Sequence, residues 1–281
     1  MRHARCLLEC IRLITRMITM RCLTSFRLFV AFVVLLTAPA GVLKAALLNP
    51  DAIEASIVQG QRITFQRSIT LDEAGPAANR VDVVFLADNT GSMGGTVTAV
   101  KANARAILDA IAGEDERFEG IDVAFGVGRY FGDPKEFGAA ANAADRAYQL
   151  LQPVTGNKDE VQAGINQWYA SGGGDAAEAN FFALHQVATS GGLTDGDGST
   201  DRGFSTGADT GWRDGAAKVI VWFGDVYSHT TTVDIQEAIS ALEANDVIVA
   251  AVNTRGSGQG IDTGSQATDI VTATGGVQSI K

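Results

Sequence analysis

The chain has 281 residues, 22 Lys+Arg against 32 Asp+Glu, a net charge of −10, a hydrophobic fraction of 46% and 32 glycines. It is too apolar and too sparsely charged for a disordered chain, and the length suits one large domain or one domain with a small flank. The acidic balance argues against nucleic acid as the main partner, because phosphate binding needs a basic face; it fits a cation site or plain solubility.

The charge is uneven. Residues 1–40 hold Arg2, Arg5, Arg12, Arg16, Arg21 and Arg27 against Glu9 alone, so the rest of the chain carries −15. Within this leader, Leu28 to Leu36 reads LFVAFVVLL, with Arg21 and Arg27 before it and Ala38-Pro39-Ala40 after it. A basic flank, a short apolar core and a small-residue exit predict a secretory signal peptide over 1–40. The core is shorter than the roughly 20 residues a membrane-spanning helix takes. The expected location is therefore secreted, periplasmic or at the cell surface, and the leader has a bacterial look. Cys6, Cys10 and Cys22 all lie in it. The body is then free of cysteine and must rest on its core or on a bound metal. Neither a lipid-anchor cysteine motif nor a C-terminal apolar tail is visible.

Residues 41–80 read as a short β-rich flank. Ile63, Phe65, Ile69 and Leu71 share one parity, broken by Arg67, and Gly75-Pro76 closes the stretch as a turn. From 81 to 281 the pattern is that of one domain. VDVVFLA (81–87) is a buried strand, and Val97, Val100, Ala104, Ile107, Leu108 and Ile111 mark an amphipathic helix after it. IDVAFGVGRY (121–130) is a second strand. Helices are expected from Asp159 to Trp168 and from about Ala176 to Ala188. A Gly/Asp/Ser/Thr-rich loop with Asp195, Asp197, Asp201 and Asp209 lies between Gly191 and Gly211. It fails the EF-hand pattern, with Thr200 at the glycine position and Thr206 at the bidentate glutamate position, and reads as a solvated loop. KVIVWF (218–223) and VIVAAV (247–252) are further strands. Between them runs a helix with Val233, Ile235, Ala238, Ile239 and Leu242, for which Thr231 and Asp234 form a candidate capping pair. A last helix surrounds Thr268 to Ala273, and a strand runs from Val277 to Ile280. Apolar strands alternating with amphipathic helices predict an α/β fold: a doubly wound, mainly parallel, Rossmann-like sheet with helices on both faces. Ligands of such sheets sit outside the carboxyl ends of the strands.

Those strand ends carry the chemistry. Strand 81–87 runs into Asp88-Asn89-Thr90-Gly91-Ser92-Met93, where a carboxylate and two hydroxyls alternate. Gly91, Gly94 and Gly95 allow a sharp turn that brings these oxygens to one point. Strand 218–223 passes through Gly224 into Asp225, on the same edge. A third approach is Gly172-Gly173-Gly174-Asp175-Ala176-Ala177-Glu178, expected to open a helix. Clustered carboxylates repel, and burying them together calls for a cation. An all-oxygen donor set selects a hard ion: Mg²⁺, Ca²⁺ or Mn²⁺.

Asp88-x-Thr90-x-Ser92 resembles the D-x-S/T-x-S signature of the von Willebrand factor A (vWA) fold, which builds the metal-ion-dependent adhesion site, or MIDAS. VAFGVGRYFGD (123–133), GGGDAAE (172–178) and GWRDGAAKVIVWFGDVYSH (211–229) are similar to stretches of integrin beta I-like domains, in the same order. The resemblance implies a Rossmann-like sheet with Asp88, Thr90, Ser92 and Asp225 holding one metal. It offers two further candidates, Glu178 at the position of the family's helix-opening ligand and Asp175 at that of an acid serving a neighbouring metal. The otherwise expected reading of Glu178 is a first-turn acid favoured by the helix dipole. Two departures point to one metal rather than three. Small neutral residues (Gly94, Gly95, Thr96) replace the adjacent acids of an extra calcium site, and Gly173 stands where the integrin pattern has an asparagine.

The resemblance further implies that Asp88 and Asp225 balance a divalent ion whose open position a partner's Asp or Glu completes. The expectation is a non-enzymatic adhesion or protein-interaction module that binds a protein or other acidic ligand through the metal. The alternatives are a structural matrix component in which metal serves stability only, or a metal-dependent hydrolase, for which no general base can be named. Gly126-Val127-Gly128 lies within a strand and reads as close packing rather than a nucleotide loop. His229 is a poor ligand for a hard ion and reads as a loop hydrogen-bonder. Trp168, Trp212 and Trp222 read as core or loop anchors, with Trp212 able to touch a partner.

Overall fold

A computed structural model describes residues 47–49, 68–70, 80–112, 120–135, 146–173, 177–193, 209–256 and 258–280. The leader 1–40, Asp175, the turn at Gly75-Pro76 and most of the Asp-rich loop lie outside these residues. β1 (Leu47–Asn49) pairs antiparallel with β2 (Ser68–Thr70) in a separate two-stranded sheet.

The main sheet has six strands. In chain order they are β3 (Arg80–Asp88), β4 (Asp122–Tyr130), β5 (Tyr148–Thr155), β6 (Ala217–Gly224), β7 (Val247–Asn253) and β8 (Val277–Ile280). Their spatial order is β5-β4-β3-β6-β7-β8. All neighbours run parallel except β5, which pairs antiparallel with β4. Numbered within this sheet, the order is 3-2-1-4-5-6, that of a doubly wound Rossmann sheet. The chain winds outward from β3 through β4 to β5, then returns to lay β6 on the other side of β3. The switch point lies between β3 and β6.

Among the described residues five α-helices cover the sheet: α1 (Gly94–Ala112), α2 (Lys158–Asn166), α3 (Asn180–Ala188), α4 (Ile235–Ala244) and α5 (Gln266–Ala273). The two faces are separate cores. Val81, Val83, Phe85 and Ala87 of β3 pack with α1 and α2. Val84 and Leu86, of the other parity, pack with α3, α4 and α5. Every residue of β3 after Arg80 is buried. This is why its sequence is apolar on both parities rather than alternating, with Asp82 the one charged residue between Val81 and Ala87.

The elements expected between 81 and 280 are present with three differences. β5 lacked a strand signal because its pairing with β4 is irregular, with register shifts around Val127, and Pro153 interrupts it. The helix expected from about Ala176 starts only at Asn180. Glu178 is instead in an isolated parallel bridge with Ser228. Its N–H donates to Tyr227 O at 3.1 Å and its carbonyl accepts from His229 N at 2.9 Å, so it takes no part in the helix's first turn. The α4 cap is Asp234 with Glu237, a reciprocal capping box, rather than Thr231 with Asp234. Gly126 and Gly128 serve close packing: a Cβ would lie 3.1 Å from Val84 Cγ2 at the first and 3.1 Å from Tyr148 Cε2 at the second.

Candidate metal centre

Asp88 is the last residue of β3, and Asp225 follows the last residue of β6. Both therefore stand at the carboxyl edge of the sheet, on the two strands that flank the switch point. The chain leaves β3 through Asn89 and Thr90 and makes a short 3-10 turn at Gly91–Met93 before α1. The turn needs no left-handed glycine. Gly91 is required for approach, because its N–H donates to Gly172 O at 3.3 Å and a Cβ there would lie 3.2 Å from that oxygen.

The turn closes a hydrogen-bonded chain. Thr90 donates twice to Asp88 Oδ1, from its backbone N–H at 2.8 Å and its hydroxyl at 2.7 Å. Ser92 Oγ donates to Asp225 Oδ1 at 2.9 Å. The two hydroxyl oxygens face each other at 3.4 Å. With both carboxylates ionised, each hydroxyl proton is committed to a carboxylate, and what the oxygens present to each other is lone pairs. Asp88 is fully buried, and its Oδ2 meets no hydrogen-bond donor among the described residues. A buried carboxylate oxygen beside two proton-depleted hydroxyls is an arrangement a cation satisfies. The donor set is all oxygen, so the residues fit a hard divalent ion held by Asp88, Thr90, Ser92 and Asp225. Among the described residues no three His, Cys, Asp or Glu side chains come together as a ligand set, so the hydroxyls are needed. Thr90 and Asp225 are buried whereas Ser92 is exposed, which gives the site one open side.

Burial and the neighbouring Asp225 charge, working against the two Thr90 hydrogen bonds, push the Asp88 carboxyl up to about 7. Behind the site lies Tyr130. Its hydroxyl donates to Phe223 O at 2.9 Å and accepts from Trp222 Nε1 at 3.0 Å. Burial, then the charge of Asp88, with Asp225 and Glu178 adding to it, hold this phenol well above its ordinary value. It acts as a neutral hydrogen-bonding strut. Gly224 makes room for it, since a Cβ there would lie 2.5 Å from the Tyr130 hydroxyl.

Glu178 is buried opposite the Thr90 loop. A Cβ placed on Gly173 would lie 3.9 Å from both Glu178 Oε1 and Thr90 Cβ. Glu178 thus lies near the Thr90 loop without joining Asp88 and Asp225 as a ligand group, and Asp175 is outside the described residues. His229 engages the site's surroundings through its backbone N–H to Glu178 O. Trp168 and Trp222 are core, and the Trp212 indole donates to Val187 O at 2.9 Å. One residue at the site was not expected from the sequence. Arg255, in the loop after β7, donates from Nη2 to Asp225 Oδ2 at 3.2 Å. It belongs to no motif, and only its place two residues beyond a strand end hinted at it.

No protein-family model matches the chain, and no curated protein sequence matches it. Solved structures give distant likenesses. Proximal thread matrix protein 1 from the mussel byssus aligns at 16% identity with a TM-score of 0.45, over 72% of this chain and 44% of its own; one crystal structure of that protein has a zinc-occupied MIDAS motif. The conserved hypothetical protein BatB from Bacteroides thetaiotaomicron aligns at 13% identity with a TM-score of 0.45, over 70% of this chain and 88% of its own. The chain thus spans less than half the length of the mussel protein. Among the described residues no helix is long and apolar enough to cross a membrane.

Proposed function

We propose that this chain is an extracellular interaction module of the vWA type, in which Asp88, Thr90, Ser92 and Asp225 hold one divalent cation and a partner's carboxylate binds to it. The observation that carries the reading is the pair of hydroxyl oxygens 3.4 Å apart, their protons committed to two carboxylates at the switch point of the sheet. Mg²⁺ is the ion the reading favours, with Ca²⁺ or Mn²⁺ as alternatives of the same hard class. When bound, the ion supplies a Lewis-acid position for an acidic ligand. The residues do the rest. Asp88 and Asp225 balance a divalent charge, and exposed Ser92 marks the side from which the ligand approaches. Glu178, near the Thr90 loop, stays a candidate beside the four-residue set rather than a member of it, and Asp175 keeps the role of candidate for a neighbouring position. The reading is of a binding protein, not an enzyme.

The test is isothermal titration of Mg²⁺, Mn²⁺ and Ca²⁺ into the purified protein and into Asp88→Ala. One-site binding that disappears in a folded Asp88→Ala supports the reading. Equal binding by both proteins would sink it. An Asp-containing peptide added to the Mn²⁺-loaded protein should then lower the proton relaxation enhancement of bulk water, as its carboxylate displaces metal-bound water.

A further inference from the structure

We infer that Arg255 is a tethered cation that competes with the metal for Asp225, so that this chain sets its own metal affinity from the loop after β7. The inference rests on the metal-site reading above and concerns what opposes it. Asp225 has a side chain only 3% exposed and two oxygens, each already engaged. Oδ1 accepts from Ser92 and Oδ2 from the Arg255 guanidinium. A divalent ion drawing on Asp225 meets a full positive charge at the same carboxylate, and like charges at this range oppose each other.

The position of Arg255 is built rather than incidental. Its backbone N–H donates to Asn253 Oδ1 at 3.0 Å, and Asn253 Nδ2 donates on to Gln259 O at 2.8 Å. Asn253 is the last residue of β7 and is buried. Gly260, at φ +61, lets the loop fold back; a Cβ there would run into Asn253 Oδ1 and lie 2.9 Å from Arg255 Cβ. The root of the side chain is therefore fixed. The guanidinium end, with the side chain 54% exposed, has solvent to move into when it leaves Asp225. The competition therefore stands wherever the guanidinium is held at Asp225.

The experiment is Mn²⁺ titration of the full chain, R255Q, R255K and D88A, with melting curves in chelator and at saturating Mn²⁺. R255Q should bind Mn²⁺ about tenfold more tightly than the parent, the size expected from removing one nearby like charge. R255K, which keeps the charge, should stay near the parent. In chelator R255Q should melt below the parent, because Asp225 has lost its counter-charge, and the gap should close with Mn²⁺. Equal or weaker Mn²⁺ binding by R255Q, with D88A abolishing binding in the parent, overturns the role of Arg255 and leaves the metal site standing. Absence of Mn²⁺ binding in every variant overturns both. Should R255Q fail to fold, phenylglyoxal modification of the parent decides: Mn²⁺ should speed reaction at Arg255, and an unchanged or slower rate overturns the inference.

Discussion

A carboxyl group with no exposure at the end of a buried strand must hold either a proton or a cation. Asp88 is in that position, and burial raises its carboxyl from 3.8 to about 7. The sign of the consequence is fixed. A folded-state value above the unfolded one means the folded protein binds this proton more tightly. In chelator, the stability contributed by protonated Asp88 is full below about pH 4 and is lost as pH rises through about 7, a change of up to about 4 kcal/mol. Urea melts of the chelated protein should therefore show higher stability near pH 5 than near pH 8, and Asp88→Asn should remove that slope and be at least as stable as the parent near pH 8. The proton and the metal use the same group, so metal affinity should rise over the interval in which stability falls. A chelated parent protein that gains stability between these two pH values, with the slope kept in Asp88→Asn, would count against a buried, proton-binding Asp88.

The strands do different work at their two ends. At the carboxyl edge β3 and β6 present Asp88 and Asp225. At the opposite edge Asp82, fully buried in β3, is matched by Arg213, which donates from Nε to Asp82 Oδ1 at 2.6 Å and from its backbone N–H to Oδ2 at 2.7 Å. The same guanidinium reaches Asp122 Oδ2 at 2.8 Å and Val81 O at 3.2 Å. It staples the entrances of β3 and β4 just before the chain enters β6. Removing one partner of a buried pair leaves an uncompensated charge, so Arg213→Ala should cost about 3–5 kcal/mol in denaturant melts. Once folded at low denaturant, it should still bind metal like the parent. A variant that kept its stability but lost metal would mean the two edges are not independent. The sequence made one edge far more readable than the other. The alternating oxygens of Asp88, Thr90 and Ser92 follow from local chain geometry, and Asp225 follows from the end of an apolar run. Arg213 and Arg255 act across gaps of 131 and 30 residues, and no local pattern announces such partners. The helical pattern at Glu178 does not hold because its bridge to Ser228 depends on a segment 50 residues away.

At the scale of the molecule, the site joins the two windings of the sheet. Asp88, Thr90 and Ser92 belong to the winding that runs outward through β4 and β5. Asp225 and Arg255 belong to the one that runs through β7 and β8. The Ser92–Asp225 hydrogen bond spans 133 residues of sequence across the switch point. A cation held there binds only when both windings are in place, so it is linked to global unfolding rather than to a local loop. At a free metal concentration of about 100 times Kd, the unfolding free energy should rise by about 2.7 kcal/mol. The denaturant midpoint should move while the slope m stays unchanged, because the surface exposed on unfolding is the same. Amide exchange should slow in β3 and β6 together. Asp88→Ala should abolish the shift. If the shift persists in Asp88→Ala, the stabilising metal sits elsewhere, and the Asp-rich stretch from Asp195 to Asp209 becomes the first place to look. If exchange slows only in β3 and α1, the ion is held by the Thr90 loop alone and Asp225 is not part of the site.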